Sequence, residues 1–335
     1  MVDLDAAEVV RYARGADGAR LGYRLLRTGA NRPVLVMIHG LASNLTRWSE
    51  FVAQTRLKDH WDLLRVDLRG HGLSLSRTRF RREDWCSDLG AILDAEGYAQ
   101  AVVMGHSLGA EVAMDFARAR PERTAGLILI DPVYPAALRG TLGVARRLRW
   151  LNRLAIVLCR GLNALGLRRP HFPYRDLRAL DEQTRRVLDQ ARAQGGSGDI
   201  AKLYMKPGAD LRYIPLANYL QDLAEVVRPV PDPATIATPV LVLLSAGATI
   251  TDADVHRQWI ERFPVAEVDT IDADHWLLTE RPLEARRAIE CWCEQLRASA
   301  DGGVSREPGG SGEPAGGVGS DGRANTAAGT KIRLE

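Results

Sequence analysis

One pentapeptide, Gly105-His106-Ser107-Leu108-Gly109, constrains the fold of this chain more than any other stretch. It follows the apolar run 101–104, which is typical of a buried strand, and precedes residues 110–117, whose pattern predicts a helix. Glycine on both sides of the serine lets the backbone turn sharply and pass close to its neighbours. The pattern predicts a strand–turn–helix unit that exposes the Ser107 hydroxyl above the strand end, an arrangement known as a nucleophile elbow.

Strands and helices alternate on both sides of this unit. A hairpin over residues 9–26 comes first and predicts an antiparallel edge. The later strands are separated by helical patterns, which favours crossover connections. We therefore predict an α/β fold with a mostly parallel central sheet flanked by helices. The predicted later strands are residues 34–38, 61–68, 101–104, 126–131, 239–244 and 266–271.

Residues 132–231 interrupt the alternation with helical patterns and no convincing strand. We therefore predict a core formed by residues 1–131 and 232–298, with residues 132–231 inserted as a helical cap or lid. A lid over the carboxyl ends of parallel strands lies where such sheets bind ligands. Residues 299–335 are rich in Gly, Ser and Pro, cannot bury enough apolar surface to order themselves, and are predicted to be a disordered tail.

Charge and cysteine content set further expectations. The 335 residues carry a formal net charge of +3, which gives no reason to expect nucleic acid as a partner. The four cysteines lack metal-ligand spacing, so we expect reduced thiols, no metal site and no cofactor. The acidic N-terminus does not resemble a secretory signal, and we expect a cytoplasmic protein. The cysteines are Cys86, Cys159, Cys291 and Cys293.

A serine hydroxyl becomes an effective nucleophile only with a base within hydrogen-bonding reach. Of the seven histidines, His275 is the best placed, because it follows the last predicted strand and precedes the last helix, at the same sheet edge as Ser107. The side chain of His106 is expected to point elsewhere from the turn. His171 and His256 are expected to be solvated.

The reaction also needs donors for the oxyanion that forms when the serine attacks a carbonyl. In a nucleophile elbow these donors are backbone N–H groups, one from the residue after the serine and one from the loop after an early buried strand. Leu108 and Leu41 occupy these two positions. We predict that they form the oxyanion hole.

The chain resembles the α/β-hydrolase fold superfamily. The resemblance implies that Ser107 is the nucleophile, that His275 is the general base, and that the loop 67–74 is structural, so that His71 is not catalytic. Haloalkane dehalogenases and epoxide hydrolases of this superfamily carry an aspartate where this chain has Ser107, so these branches are set aside. The matching segments, in the family's order, are His39-Gly40, residues 67–74, residues 105–109 and Asp274-His275-Trp276.

The acidic member of the triad departs from the pattern of the superfamily. Its usual position, a few residues after strand 240–244, falls on residues 248–250, none of which can orient a histidine. Asp131 occupies the other known position, the end of the preceding core strand, as in some lipases. We favour Asp131 as the acid and keep Asp252, which looks like a helix cap, as the alternative.

The cap contains an unusual basic helix at residues 144–162. Three uses are considered: a lid helix whose apolar face covers the acyl pocket, which is favoured; an interfacial helix on an anionic membrane; and attraction of an anionic substrate such as an acyl-coenzyme A. The helix is too interrupted by charge to span a bilayer. Its predicted basic face has Arg146, Arg149, Arg153 and Arg160, and its apolar face has Val144, Leu148, Leu151, Ala155, Leu158 and Leu162.

These features lead to one functional hypothesis with alternatives. We expect a cofactor-independent serine hydrolase that cleaves a small-molecule carboxylic ester or thioester through an acyl-enzyme. A lactonase or C–C bond hydrolase with the same triad is one alternative. A non-catalytic protein that binds a small molecule beneath the lid is another. The sequence predicts neither acyl length nor oligomeric state.

Overall fold

The computed structural model describes residues 8–194, 204, 207–247 and 251–302. An eight-stranded sheet has the order β1-β2-β4-β3-β5-β6-β7-β8; β2 pairs antiparallel with β1 and β4, and the remaining pairs are parallel. The predicted mostly parallel sheet with an antiparallel edge is therefore confirmed. The strands are β1 (Val9–Arg14), β2 (Arg20–Leu26), β3 (Val34–Ile38), β4 (Asp62–Val66), β5 (Ala101–His106), β6 (Thr124–Ile130), β7 (Val240–Ser245) and β8 (Ala266–Ile271).

Helices cover both faces of the sheet, which explains why the central strands are continuous apolar runs. Every residue of β3 and β5 is buried. The helices are α1 (Ser49–Gln54), α2 (Arg82–Glu96), α3 (Leu108–Ala119), α4 (Gly140–Arg147), α5 (Arg149–Ala164), α6 (Arg178–Ala193), α7 (Pro207–Asp210), α8 (Leu216–Val226), α9 (Ala253–Ile260), α10 (Leu277–Glu280) and α11 (Pro282–Gly302).

The register of the central strands positions the candidate site. Ile38 of β3 pairs with Gly105 of β5, and His106 of β5 pairs with Ile130 of β6. Because these strands are parallel neighbours, the residues that follow them meet at one edge of the sheet. Ser107 and Asp131 are therefore placed side by side by backbone pairing.

The structure departs from the simple sequence pattern at two places. Residues 45–57 have a helical pattern but form α1 and two short 3-10 helices, because Thr55 adopts an extended conformation and its hydroxyl accepts a hydrogen bond from the Leu57 N–H. At the other end of the chain, α11 continues to Gly302, four residues into the predicted tail. Residues 303–335 lie outside the described part of the chain.

Helices α4 to α8 follow β6 and precede β7, and buried polar contacts join α8 to the core. The Nδ2 of Asn218 donates to the carbonyl oxygens of Gly70 at 3.1 Å and Ser76 at 2.7 Å. The Nε2 of His71 lies 3.0 Å from Oδ2 of Asp222, and both side chains are fully buried. Burial disfavours the imidazolium, but the Asp222 carboxylate more than compensates, and the pKa of His71 is raised. His71 thus joins the cap to the core.

Replacing Asp222 with asparagine is expected to destabilise the protein by about 2 kcal/mol near neutral pH. A histidine whose pKa is raised on folding stabilises the protein fully below its ordinary pKa of 6.5, and this stabilisation is lost as the pH rises through the folded-state pKa. The difference in unfolding free energy between wild type and Asp222→Asn should therefore shrink from pH 6 towards pH 9 in urea titrations. A difference that grows with pH would contradict the charged pair.

The prediction that the apolar face of the basic cap helix covers the acyl pocket is wrong. Leu148, Leu151, Leu158 and Leu162 are exposed, and the covered side of α5 packs on α8, where Asn152 Nδ2 donates to Leu220 O at 2.9 Å. Among the described residues, none from α5 lines the cavity that holds Ser107. The apolar face of this helix therefore does not cover an acyl pocket.

Candidate active site

Close packing explains the pentapeptide around Ser107. A Cβ on Gly105 would lie 2.1 Å from the carbonyl oxygen of Gly109, and a Cβ on Gly109 would lie 2.4 Å from that of Ile38. Only glycine allows the start of α3 to approach β3 and β5 so closely. Ser107 itself adopts φ 55° and ψ −122°, a strained conformation that fits a nucleophile elbow.

His275 and Asp131 are in direct contact. The Nδ1 of His275 lies 2.5 Å from Oδ2 of Asp131, in a buried position. The other carboxylate oxygen of Asp131 accepts hydrogen bonds from the backbone N–H of Ser245 at 3.0 Å and from its hydroxyl at 2.9 Å. Asp131 also has a positive φ of 43°, which turns its side chain out of β6. The carboxylate is thus fixed by three hydrogen bonds.

These contacts decide the charge of the carboxylate. Burial by itself would raise the pKa of Asp131, but the hydrogen bond and charge of His275 and the donors of Ser245 outweigh it, and the pKa is lowered. Asp131 is therefore ionised at neutral pH. In a neutral imidazole, an ionised acceptor at Nδ1 favours the tautomer that carries its proton on Nδ1 and has Nε2 as an acceptor.

The alternative acid, Asp252, does a different job. It precedes α9, where its side chain accepts hydrogen bonds from the backbone N–H groups of Asp254 and Val255, and it forms an ion pair with Arg139. The helix cap expected from the sequence is therefore present. The geometry favours Asp131 as the partner of His275.

Sequence reasoning missed the position of His106. Its side chain lines the same cavity as Ser107, and its Nε2 lies 2.8 Å from the carbonyl oxygen of His275. Burial and the neighbouring His275 lower the pKa of His106 to about 3, so the ring is neutral and donates its Nε2–H. His106 therefore holds the backbone of His275, and the expectation that it points elsewhere is wrong.

Replacing His106 with alanine is expected to lower kcat about 10- to 100-fold, because the backbone of His275 loses a buried hydrogen bond and the imidazole is less well placed. His106→Gln keeps a donor in this direction and should recover part of the loss. Steady-state kinetics of the two variants, with thermal unfolding as a folding control, measure this. Equal activity of His106→Ala and wild type would contradict a positioning role.

The two predicted oxyanion donors are near the serine. Leu108 is the first residue of α3, and Leu41 lines the cavity. Among the described residues, no acceptor is bonded to either backbone N–H. Gly40 keeps this approach open, because a Cβ there would lie 3.3 Å from that of Ser107. Both N–H groups are available to a ligand atom.

The cavity that holds Ser107, His106 and His275 has a volume of about 490 Å³, within the range of small-molecule sites. Its two arginines are each paired with a carboxylate, Arg47 with Asp181 and Arg175 with Asp210. The cavity therefore suits an uncharged molecule with a sizeable apolar part. The cavity is lined by the apolar side chains of Leu41, Val133, Leu142, Leu177, Leu180, Leu223, Val226 and Trp276.

Other candidate features do not join this site. A surface depression of about 1300 Å³ lies at the opposite, amino ends of β3 and β5 and contains none of the predicted site residues. His256 is buried against Trp259 rather than solvated, whereas His171 is exposed. In the part of the chain that the structure describes, no group of three metal-ligating side chains is close enough to hold an ion.

His39 and the loop 67–74 form a structural unit. The Nδ1–H of His39 donates to Gly40 O at 2.9 Å, and its Nε2 accepts from the Leu68 N–H at 3.1 Å. Asp67 accepts from the N–H groups of Leu45 and Leu73 at 2.6 and 2.7 Å. These bonds fix the loops beside the cavity.

Comparison with known proteins agrees with this architecture. Residues 33–282 match the family model described as alpha/beta hydrolase fold. The chain is 24% identical over 271 residues to the sn-1-specific diacylglycerol lipase ABHD11 of Mus musculus. The aligned region covers 80% of this chain and 83% of that protein.

Solved structures give the same result for the fold. A hydrolase from Pseudomonas aeruginosa PA01 superposes with a TM-score of 0.60 at 24% identity, covering 85% of this chain and 98% of that one. A thermophilic esterase from Thermogutta terrifontis gives a TM-score of 0.59 at 22% identity, covering 86% and 99%. The chain thus belongs to the α/β-hydrolase fold family and is a hydrolase of that family.

Proposed function

We propose that this hydrolase cleaves a carboxylic ester through an acyl-enzyme formed on Ser107. The observation that carries the proposal is the 2.5 Å contact between His275 Nδ1 and Asp131 Oδ2 at the wall of the cavity that holds Ser107. A buried aspartate–histidine pair beside a strained serine is the arrangement that acyl transfer needs.

Each residue then has one role. The Nε2 of His275 accepts the proton of Ser107 as Oγ attacks the ester carbonyl, and Asp131 stabilises the imidazolium that forms. The N–H groups of Leu41 and Leu108 stabilise the oxyanion. His275 next protonates the leaving alcohol, and a water molecule activated by the same imidazole releases the acid.

The cavity supports an uncharged substrate with an apolar acyl or alcohol part. Both arginines in its wall already have carboxylate partners, so they offer little attraction to an anionic ligand. A free ester of modest size fits this lining better than a coenzyme A thioester. The relative ABHD11 is named a diacylglycerol lipase, and uncharged glycerol esters are reasonable members of a first substrate panel.

A fluorophosphonate probe and a panel of p-nitrophenyl esters of graded acyl length test the proposal. Wild type should react covalently with the probe and hydrolyse at least part of the panel, whereas Ser107→Ala should do neither. The matched control is Ser299→Ala, a serine on α11 outside the cavity. A folded wild-type protein that the probe does not label would instead support a ligand-binding protein.

Adding lactones and thioesters to the same panel identifies the type of bond that the protein cleaves.

The helices of the described residues include no candidate for a membrane span, since none combines the necessary length and apolar character. The cytoplasmic location stays a prediction.

A further inference from the structure

Exposed apolar residues are concentrated on one part of the cap. Ten of the twenty large apolar side chains that are exposed among the described residues lie between positions 144 and 167. Trp150 is 61% exposed, Val157 66% and Leu158 59%. An apolar patch of this kind on a folded protein marks a surface that another apolar phase or partner covers.

The patch is a regular face of α5. At about 100° per residue, six side chains occupy an arc of roughly 140° on the side opposite α8. We call this set the outer apolar face. It consists of Trp150, Leu151, Leu154, Val157, Leu158 and Leu162.

Arginines follow one edge of the outer apolar face. Arg149, Arg153 and Arg160 share one line along α5 and, together with Arg79, line a groove of about 490 Å³. The acidic groups in this groove, Glu83 and Glu225, both pair with Arg228. Among the described residues, Arg79, Arg149 and Arg153 have no carboxylate partner.

The surroundings of Arg160 lack an anionic hydrogen-bond acceptor among the described residues. Its Nη1 donates to the Arg77 carbonyl oxygen at 2.7 Å, but its Nε and Nη2 are buried with no hydrogen-bond partner among the described residues. Burial and the nearby charge of Arg79 lower the pKa of Arg160. An anionic oxygen in the groove would satisfy these nitrogens and relieve the repulsion between the two guanidinium groups.

We propose that α5 docks this protein on an anionic lipid surface, with the outer apolar face in the acyl-chain region and the arginine edge on lipid phosphates. A helix with an apolar face, a tryptophan and arginines at its border has the composition of an interfacial helix. A second copy fits less well, because self-association would place the same arginines together, and residues 132–175 contain nine arginines and no acidic residue.

The position of the surface relative to the cavity adds a consequence. On α4, which is followed by α5 after one residue, Leu142 and Ala145 line the cavity of Ser107, whereas Val144, between them, is 52% exposed. Docking would therefore place the cavity wall at the lipid boundary. The docking proposal itself does not depend on the reaction at Ser107.

Co-sedimentation of the full chain with phosphatidylcholine vesicles, with and without phosphatidylglycerol, tests the proposal at low and high salt. Wild type should bind the anionic vesicles and bind them more weakly at high salt. Leu154→Ser/Val157→Ser/Leu158→Ser and Arg149→Glu/Arg153→Glu should each lower the affinity at least about tenfold. A blue shift of tryptophan emission on binding should be reduced in Trp150→Phe.

Matched controls change the same residue types elsewhere. Val265→Ser/Leu283→Ser removes exposed apolar groups outside the face, and Arg118→Glu/Arg257→Glu makes the same charge change; both should bind like wild type. Hydrolysis of a soluble short-chain ester should be equal in all variants, which separates this test from that of the proposed function.

Three outcomes would overturn the proposal. The first is that wild type fails to bind anionic vesicles at low salt, and the second is that the triple serine variant binds them as tightly as wild type. The third is that no vesicle binding is seen and mass photometry shows a dimer for wild type but a monomer for the triple variant, which would make the face a self-association surface.

Discussion

Asp131→Asn is expected to lower kcat about 10⁴-fold while the protein stays folded. The Oδ1 of an asparagine at this position can still accept both hydrogen bonds from Ser245, so the side chain should keep its orientation. Its amide nitrogen would then face Nδ1 of His275 and donate to it. The imidazole proton is then on Nε2, and this nitrogen can no longer accept the proton of Ser107.

The matched control is Asp252→Asn, because Asp252 is the other acid that the sequence allows. It should leave kcat within about twofold of wild type and change the stability little, because asparagine caps a helix about as well as aspartate. Steady-state kinetics on the best ester of the panel compare the two variants. A large loss of kcat in Asp252→Asn with little loss in Asp131→Asn would reverse the assignment of the acid.

Arg82→Met is expected to cost about 5 kcal/mol of unfolding free energy, the upper end of the effect of breaking a buried ion pair. Arg82 is fully buried, with Glu111 at 3.0 Å and Asp115 at 3.1 Å. Its backbone N–H donates to Glu225 at 3.2 Å, and its guanidinium also donates to the carbonyl oxygen of Pro229. Methionine fills similar volume but leaves these carboxylates facing one another.

The loss of stability should depend on pH in a defined direction. Burial already raises the pKa of Glu111 well above its ordinary 4.5, and the nearby Asp115 and Glu225 raise it further, whereas Arg82 lowers it. A carboxyl group whose pKa is raised on folding destabilises the protein as the pH rises above the unfolded value. Arg82→Met should therefore be less destabilised at pH 5 than at pH 8.

Urea unfolding at both pH values measures this, with Arg118→Met as the control. Arg118 is exposed on α3, the same helix as Glu111, and its replacement should change stability by no more than about 0.5 kcal/mol. The double variant Arg82→Met/Glu111→Gln should recover part of the loss, because one of the stranded carboxylates is removed. Destabilisation that is equal at the two pH values would count against uncompensated charge as its cause.

The sequence predicted the nucleophile elbow because the constraint is local. Gly105 and Gly109 are four positions apart, and their steric requirement is visible in the pentapeptide itself. The buried strands were predicted for a similar reason, since strands covered on both faces are continuous apolar runs. The mostly parallel sheet followed from the alternation of strands and helices, and its antiparallel edge followed from the hairpin at residues 9–26.

The sequence favoured Asp131 as the acid but left Asp252 open, because the choice depends on where three distant segments meet. His275 and Asp131 are 144 positions apart, and Ser245, which fixes the carboxylate, belongs to a third strand. The contact between His106 and the backbone of His275 has the same origin. A residue pattern contains no signal for a bond of this kind.

Which side of α5 is covered by the rest of the protein could not be predicted from the sequence for a different reason. Helical periodicity separates an apolar side from a basic side, but it does not say which side the rest of the protein covers. Here α8 packs on a third side that contains Asn152 and Cys159, and the arginines lie at its border. The apolar side of α5 is exposed, so the rule that apolar faces pack on the rest of the protein does not hold for this helix.

Because Asp131 follows β6, no described residue between Ser245 and α9 bonds the proposed acid. Ser107 and Asp131 extend strands that pair directly, and Ser245 terminates the next strand, so all three are tied to the rigid sheet. Evolution or an engineer could therefore change the length and composition of that connection without moving the acid.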